Sequence, residues 1–197
     1  AKEALALGDT LIAKAQALSE IPEGPGLSQS IKDLDKEVNQ ATTSQAQKYR
    51  AKEVLDVQRS RQMVFHKALM KERQASAISQ AKTVAKEISG NDKSVVRLDF
   101  GVDGKTSSKV MKEFQKANKT GSFLLVSADE EEDAFAVYAN VHKTHQATLD
   151  ALKWCEAALA PVGGGRCGGK NMNANGTASS VAQVEECTAA AQEYLLN

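Results

Sequence analysis

Aromatic residues make up only 5% of the 197 positions, proline occurs three times and cysteine three times. So few aromatics leave little for stacking on nucleobases, and they point to a modest core built from aliphatic side chains. Cys155, Cys167 and Cys187 are odd in number, widely spaced and without a CxxC pair. That excludes a disulfide framework and a cysteine zinc site, and it fits a reducing, cytoplasmic setting. No stretch of 18 apolar residues exists, so no helical membrane span is expected. The N-terminus has neither a signal-peptide apolar region nor a methionine, so the sequence is expected to be a piece of a longer chain. Charge of one sign is missing too: 25 basic and 25 acidic residues cancel, which excludes a uniformly basic nucleic-acid binder. What is present is 42% hydrophobic and 25% charged residues, an ordinary globular balance that favours helix.

The pattern divides near Ser89-Gly90-Asn91-Asp92 into an arm, 1–90, and a globular part, 91–197. Leu11, Ala15 and Leu18 recur at helical spacing before Ile21-Pro22-Glu23-Gly24-Pro25-Gly26 breaks the helix. Leu27, Ile31, Leu34, Val38 and Ala41 follow at steps of four and three, an a/d seam. Ser44 and Gln47 have capping-box form, and no proline or glycine interrupts the chain from there to Ile88. About 45 helical residues at a 1.5 Å rise span roughly 65–70 Å, so a helical hairpin, three-helix or coiled-coil arm is expected. Apolar stripes at Ala51, Leu55, Phe65, Leu69 and at Ile78, Ala81, Ala85, Ile88 sit at different angles.

The second part reads as α/β (α+β) with a small three- or four-stranded sheet. Strands are expected over Ser94–Phe100, Ser122–Ser127 and Ala134–Ala139, and helices over Ser107–Ala117, Thr144–Ala160 and Ser179–Leu196. A glycine-rich loop is expected from Pro161 to Gly176.

The neutral total hides an asymmetry. Residues 1–90 carry 14 basic and 11 acidic side chains, residues 91–197 the reverse. The window 48–86 carries a net charge of +7, with Lys48, Lys52, Arg59, Lys67, Lys71 and Arg73 among its cations. Such a helix attracts a phosphate backbone; a solvated helix face explains the same charges. Gly163-Gly164-Gly165-Arg166-Cys167-Gly168-Gly169-Lys170 is the stronger local signal, because bare backbone allows close approach and its amides, with Arg166 and Lys170, can hold an anion. It lacks the Ser or Thr of a phosphate-binding P-loop and the strand–glycine–helix order of a dinucleotide fingerprint.

From Gly165 to Thr177 the sequence GRCGGKNMNANGT resembles the closing motif of alanyl-tRNA synthetases: a glycine run with Arg or Lys, then a short Ala-Gln-like stretch. Cys167 stands at a usual glycine and Asn175 at the usual Gln. The order of arm, Val-rich strand, helix, Phe-Leu-Leu-Val-Ser strand and Ala-rich helix is similar as well. The resemblance is strong over 93–197 and one of pattern over 1–90, and it is greatest to the C-terminal domain of the eukaryotic cytoplasmic enzymes. It implies a DHH-associated-type fold without a catalytic site of its own. The parent enzyme would be an alanine–tRNA ligase whose ATP and zinc belong to other domains, leaving this part without a cofactor. The implied function is binding the outer corner of tRNA(Ala) and helping to couple aminoacylation with editing or assembly. The implied tRNA-binding residues are Gly164, Gly165, Arg166, Gly168, Gly169, Lys170 and Asn175. The implied partners are tRNA(Ala), the other synthetase domains and a second copy through the arm.

Two alternatives stand beside it. One is a protein-interaction or dimerisation module with weak or lost tRNA binding, motivated by Ile31, Leu34 and Val38. The other is the accessory domain of a DHH phosphoesterase, disfavoured by the long arm and the lack of an Asp-His-His motif. Other features read as structural. His142 and His145 lack further ligands at metal spacing, His66 is expected half-buried, Asp129–Asp133 reads as a solvated hairpin tip and Trp154 as core.

Overall fold

Pro22, Gly24 and Pro25 separate the first two helices of the computed structural model, and Thr42-Thr43-Ser44 separates the second from the third. The structure describes residues 2–196, and the chain falls into two units, Ala1–Glu72 and Arg73–Asn197.

In the first unit, α1 (Lys2–Ala17) and α2 (Pro25–Gln40) pack on the N-terminal part of α3 (Gln45–Glu87). Pro25 starts α2, where its missing N–H costs nothing. The expected seam is used inside the unit: Leu27, Ile31, Leu34 and Val38 are buried with Leu11, Ala15, Leu18, Ala51 and Leu55. The Pro-Gly break is held to α3, since Gln62 exchanges two hydrogen bonds with Gly24 and Arg61 pairs with Glu23 at 2.7 Å. Ser44 caps α3 by accepting from the Gln47 amide at 3.3 Å. The Gln47 side chain departs from capping-box form. It is buried, donating to the Leu5 carbonyl and to Asp9, because Gly8 of α1 leaves room for it. The stripe at Phe65 and Leu69 is not buried like Ala51 and Leu55; Phe65 is exposed.

In the second unit the last turns of α3 supply Ala77, Ala81 and Ala85 to a core shared with β1 (Lys93–Arg97), α4 (Gly104–Ala117) and β2 (Ser122–Asp129). β1 runs parallel to β2, with α4 as the crossover. Asp103 begins α4 by accepting from the Lys105 and Thr106 amides, so the helix starts three residues before the expected Ser107. β3 (Ala134–Asn140) returns antiparallel to β2. β2 is buried on both faces, which explains its unbroken apolar run. Phe123 and Leu125 face Val110, Met111 and Phe114 of α4, while Leu124 and Val126 face α5 (Ala151–Ala158) and α6 (Val184–Glu193). Trp154 lies wholly inside this second layer and donates its indole N–H to the Ala191 carbonyl at 2.9 Å.

The sheet has five strands in the order β1-β2-β3-β5-β4, more than the three or four expected. The extra pair comes from the stretch expected to be a loop: β4 (Arg166–Gly169) and β5 (Asn173–Ser179) form a hairpin, and β5 pairs antiparallel with β3. Glycine and asparagine are poor strand formers, yet β3 offers an open edge, and hydrogen bonding to it overrides propensity. The helix expected over Thr144–Ala160 starts only at Ala151, because Asp150 caps it and residues 142–149 form tight turns. The final helix is likewise shorter. β5 consumes its first residue, and Asp133 ties down Ser180 and Val181 before α6 begins. Among the described residues no helix is long and apolar enough to cross a membrane.

Candidate nucleic-acid interface

Side chains alternate across a strand, and the β4–β5 hairpin sorts its residues accordingly. Ala174 and Gly176 of β5 are buried and Ala178 half-buried, beside Cys167 of β4, against the α5 layer. Asn173, Asn175, Thr177 and Ser179 are exposed on the other face, where Arg166 pairs in register with Thr177 and Gly168 with Asn175. On that face α4 and the end of α3 cover β1 and β2 and leave β5 and β4 open. Cys167, the residue standing at a usual glycine, turns its thiol inward towards Gly176, so it does not crowd the open face.

The glycines of the run have separate physical reasons. Gly164, at φ +86°, belongs to the chain reversal after α5, its amide donating to the Leu159 carbonyl. At Gly165 a Cβ would lie 2.5 Å from the Thr177 carbonyl oxygen and 2.6 Å from Leu159. Gly169 sits at φ +140°, and a Cβ there would fall 2.5 Å from the Ala174 Cα. Gly168 differs from all of these: its φ is not positive, nothing lies within 4 Å of a Cβ placed on it, and it is exposed. The fold does not require glycine at 168, and the result is a bare patch of edge strand between two exposed cations, Arg166 and Lys170. Neither cation has an ion-pair partner among the described residues. Lys170 closes the hairpin through its amide to the Asn173 carbonyl at 2.7 Å.

A cleft of about 340 Å³ runs between this face and α4, lined among others by Ser107, Lys112, Gln115, Asn140, Gly168 and Asn175. Its floor is ordered by a chain of amides: Gln115 donates to Asn140 at 2.9 Å and Asn140 donates to Asn173 at 2.6 Å. Beside it the Tyr138 phenol is pushed up to about 12, chiefly by burial and then by the Asp103 charge, with a hydrogen bond from Ser107 working the other way. Tyr138 therefore stays a neutral hydrogen-bonding group throughout the physiological range. Asp103 is raised by burial, but hydrogen bonds from Thr106 and the Lys105 amide outweigh this and hold it below its ordinary value. Among the described residues no cluster of three or more His, Cys, Asp or Glu is gathered as for a metal ion.

The basic residues expected on the long helix are placed differently from one another. In the first unit Arg59 pairs with Asp35 at 2.8 Å and Asp56 at 2.7 Å, and Lys48 donates to the Asn39 carbonyl. Lys52, Lys67 and Lys71 have no ion-pair partner among the described residues. In the second unit Arg73 pairs with Glu131 at 3.0 Å and Asp129 at 3.5 Å, so the acidic hairpin tip neutralises it. His145 shares a 2.8 Å hydrogen bond with the buried Ser122 hydroxyl, and His142 bonds Thr144. The cleft's amides carry no sequence signal of their own, whereas Lys112 belongs to a repeat of lysines at 105, 109, 112 and 116 that the spacing shows.

Residues 90–197 match the family described as the DHHA1 domain. No curated protein matches the chain. Among solved structures it is similar to the C-Ala domain from Aquifex aeolicus alanyl-tRNA synthetase, with a TM-score of 0.43 and 16% identity, over 53% of this chain and 89% of that one. It is also similar to RecJ from Thermus thermophilus, solved in complex with Mn2+, with a TM-score of 0.41 and 16% identity, over 94% of this chain and 23% of that one.

Proposed function

The chain belongs to the DHHA1 domain family, and from that premise we propose that it is a tRNA-binding module whose β4–β5 hairpin lies against the sugar–phosphate backbone. The observation that carries this reading is Gly168, a glycine with no internal reason to be one, exposed between Arg166 and Lys170 on an open edge strand. A missing side chain there lets a backbone approach, and the two cations supply phosphate contacts. Recognition of this kind follows shape and phosphate positions, as suits folded RNA. The glycine motif from 165 to 177 supports the outer corner of tRNA(Ala) as the ligand, and the other domains of an alanine–tRNA ligase as the partners with which the module helps couple charging to editing. Three free thiols support a reducing, cytoplasmic setting.

Titration of labelled tRNA(Ala) transcript with the 197-residue chain at several salt concentrations tests the reading. Arg166→Ala with Lys170→Ala is expected to lower the slope of log affinity against log salt by roughly 1.4–1.8, two phosphate contacts' worth. Unchanged binding after both substitutions would remove the hairpin from the interface.

Tyr49, Val57, Met63 and Val64 stand exposed on α3 and support a second reading, association of this helix with a second copy of the chain. The a/d seam does not support it, because that seam is already buried inside the first unit.

A further inference from the structure

Lys105, Lys109, Lys112 and Lys116 recur along α4 at steps of four, three and four, and all are exposed. At 100° per residue they fall within about 60° of one another, opposite the buried Val110 and Phe114, and they span about 16 Å of helix axis. The row works against the helix that carries it. Like charges three and four residues apart repel, and Lys105 sits in the first turn, where the dipole disfavours a cation. Relief is slight. Glu113 is the only acidic residue within α4, and Lys116 takes it at 2.6 Å. Lys109 donates to the Gln74 side chain at 2.6 Å. The Asp103 carboxylate is held by the amides and hydroxyl of the helix start, and its charge attracts Lys105 only from beyond ion-pair distance. Lys105 and Lys112 are left without an ion-pair partner among the described residues, and Lys112 lines the cleft whose other wall holds Gly168 and Asn175. A local rule broken without compensation inside the fold marks a position kept for something outside it.

We propose that this lysine row is the second side of the RNA interface, holding phosphates of a strand that lies along the cleft between α4 and the β4–β5 hairpin. The inference rests on the tRNA-binding reading and adds the surface, its contact chemistry and the two cations that make no ion pair. An RNA backbone suits the site better than an acidic peptide, because the cleft presents Ser107, Gln115, Asn140 and Asn175 near the lysines, hydrogen-bonding groups for phosphate and ribose, and the bare backbone at Gly168 admits a strand.

The test is Lys105→Gln with Lys112→Gln in the full chain, titrated with fluorescein-labelled tRNA(Ala) transcript across a salt series. The expected result is a salt slope shallower by roughly 1.4–1.8 and, with equal affinity at 1 M salt, an affinity about 25- to 60-fold lower at 0.1 M salt, with a melting temperature equal to or above the parent's because repulsion along α4 is relieved. Parental slope and affinity in this variant would overturn the inference. If Arg166→Ala with Lys170→Ala weakens binding while the lysine pair does not, the tRNA reading stands and this inference alone falls. If the parent chain shows no binding, both fall. Equal loss of tRNA and poly-L-glutamate binding would also overturn it, because the row would then be a general anion patch.

Discussion

Gly168→Asp is expected to lower tRNA affinity at least tenfold while leaving stability within about 0.5 kcal/mol of the parent. The side chain would enter open space on the exposed face of β4, so nothing in the fold resists it. It would place a carboxylate between Arg166 and Lys170, where the phosphate is expected, and like charges brought together at an interface cost heavily. Gly169→Ala is the matched contrast. Its Cβ would strike the backbone of Asn173 and Ala174, and its φ of +140° is one that alanine resists. A loss of about 2–4 kcal/mol in stability is expected there from strain and collision together. Chemical denaturation and tRNA titration of both variants separate the two roles. A Gly168→Asp protein that binds normally would show that the bare strand is incidental.

The second large effect concerns the scaffold. Trp154 is the sole tryptophan and is wholly buried between α5, α6 and the sheet. Trp154→Ala is expected to cost about 3–5 kcal/mol, from lost apolar contact and the cavity left behind. The Ala191 carbonyl would also lose its indole donor. Hydrogen exchange at the β2 and β3 amides reads this directly, because those strands form the centre of the sheet and report its opening. Protection reduced by less than about 1 kcal/mol would show that the second layer contributes little. Trp154→Phe keeps most of the ring volume, so it is expected to recover most of the loss.

Where hydrophobic side chains repeat, the sequence was readable. The seam of α2 lies where its spacing predicts, and the Val110, Met111 and Phe114 face of α4 and the unbroken run of β2 fall within the predicted helix over Ser107–Ala117 and strand over Ser122–Ser127. Each is an element whose burial is done by large apolar groups, so pattern and packing agree. The β4–β5 hairpin was not readable for the opposite reason. Its inward positions are Cys167, Ala174, Gly176 and Ala178, too small to register as an apolar stripe, and its outward positions other than Arg166 are Asn, Thr, Ser and Gly, the residues of turns. What makes it a strand pair is the vacant edge of β3, a property of the assembled sheet and not of the local sequence. The turns over 142–149 were lost similarly. Their fit depends on Ser122, some 20 residues away, meeting His142 and His145. At the candidate site the glycine run and its cations were visible from composition, whereas the α4 lysines were hidden by a net negative half-chain. Only the fold brings Lys112 to the cleft that the hairpin lines.

Hydrogen–deuterium exchange of the 197-residue chain with and without tRNA(Ala) transcript tests the central claim most directly. Slowed exchange across the backbone amides of 166–175, with α4 residues 104–117 joining them, is the predicted result, since an RNA strand laid on that face would shield the edge of β4. Slowing confined to residues 45–72, with the hairpin exchanging as fast as in the free protein, would contradict it.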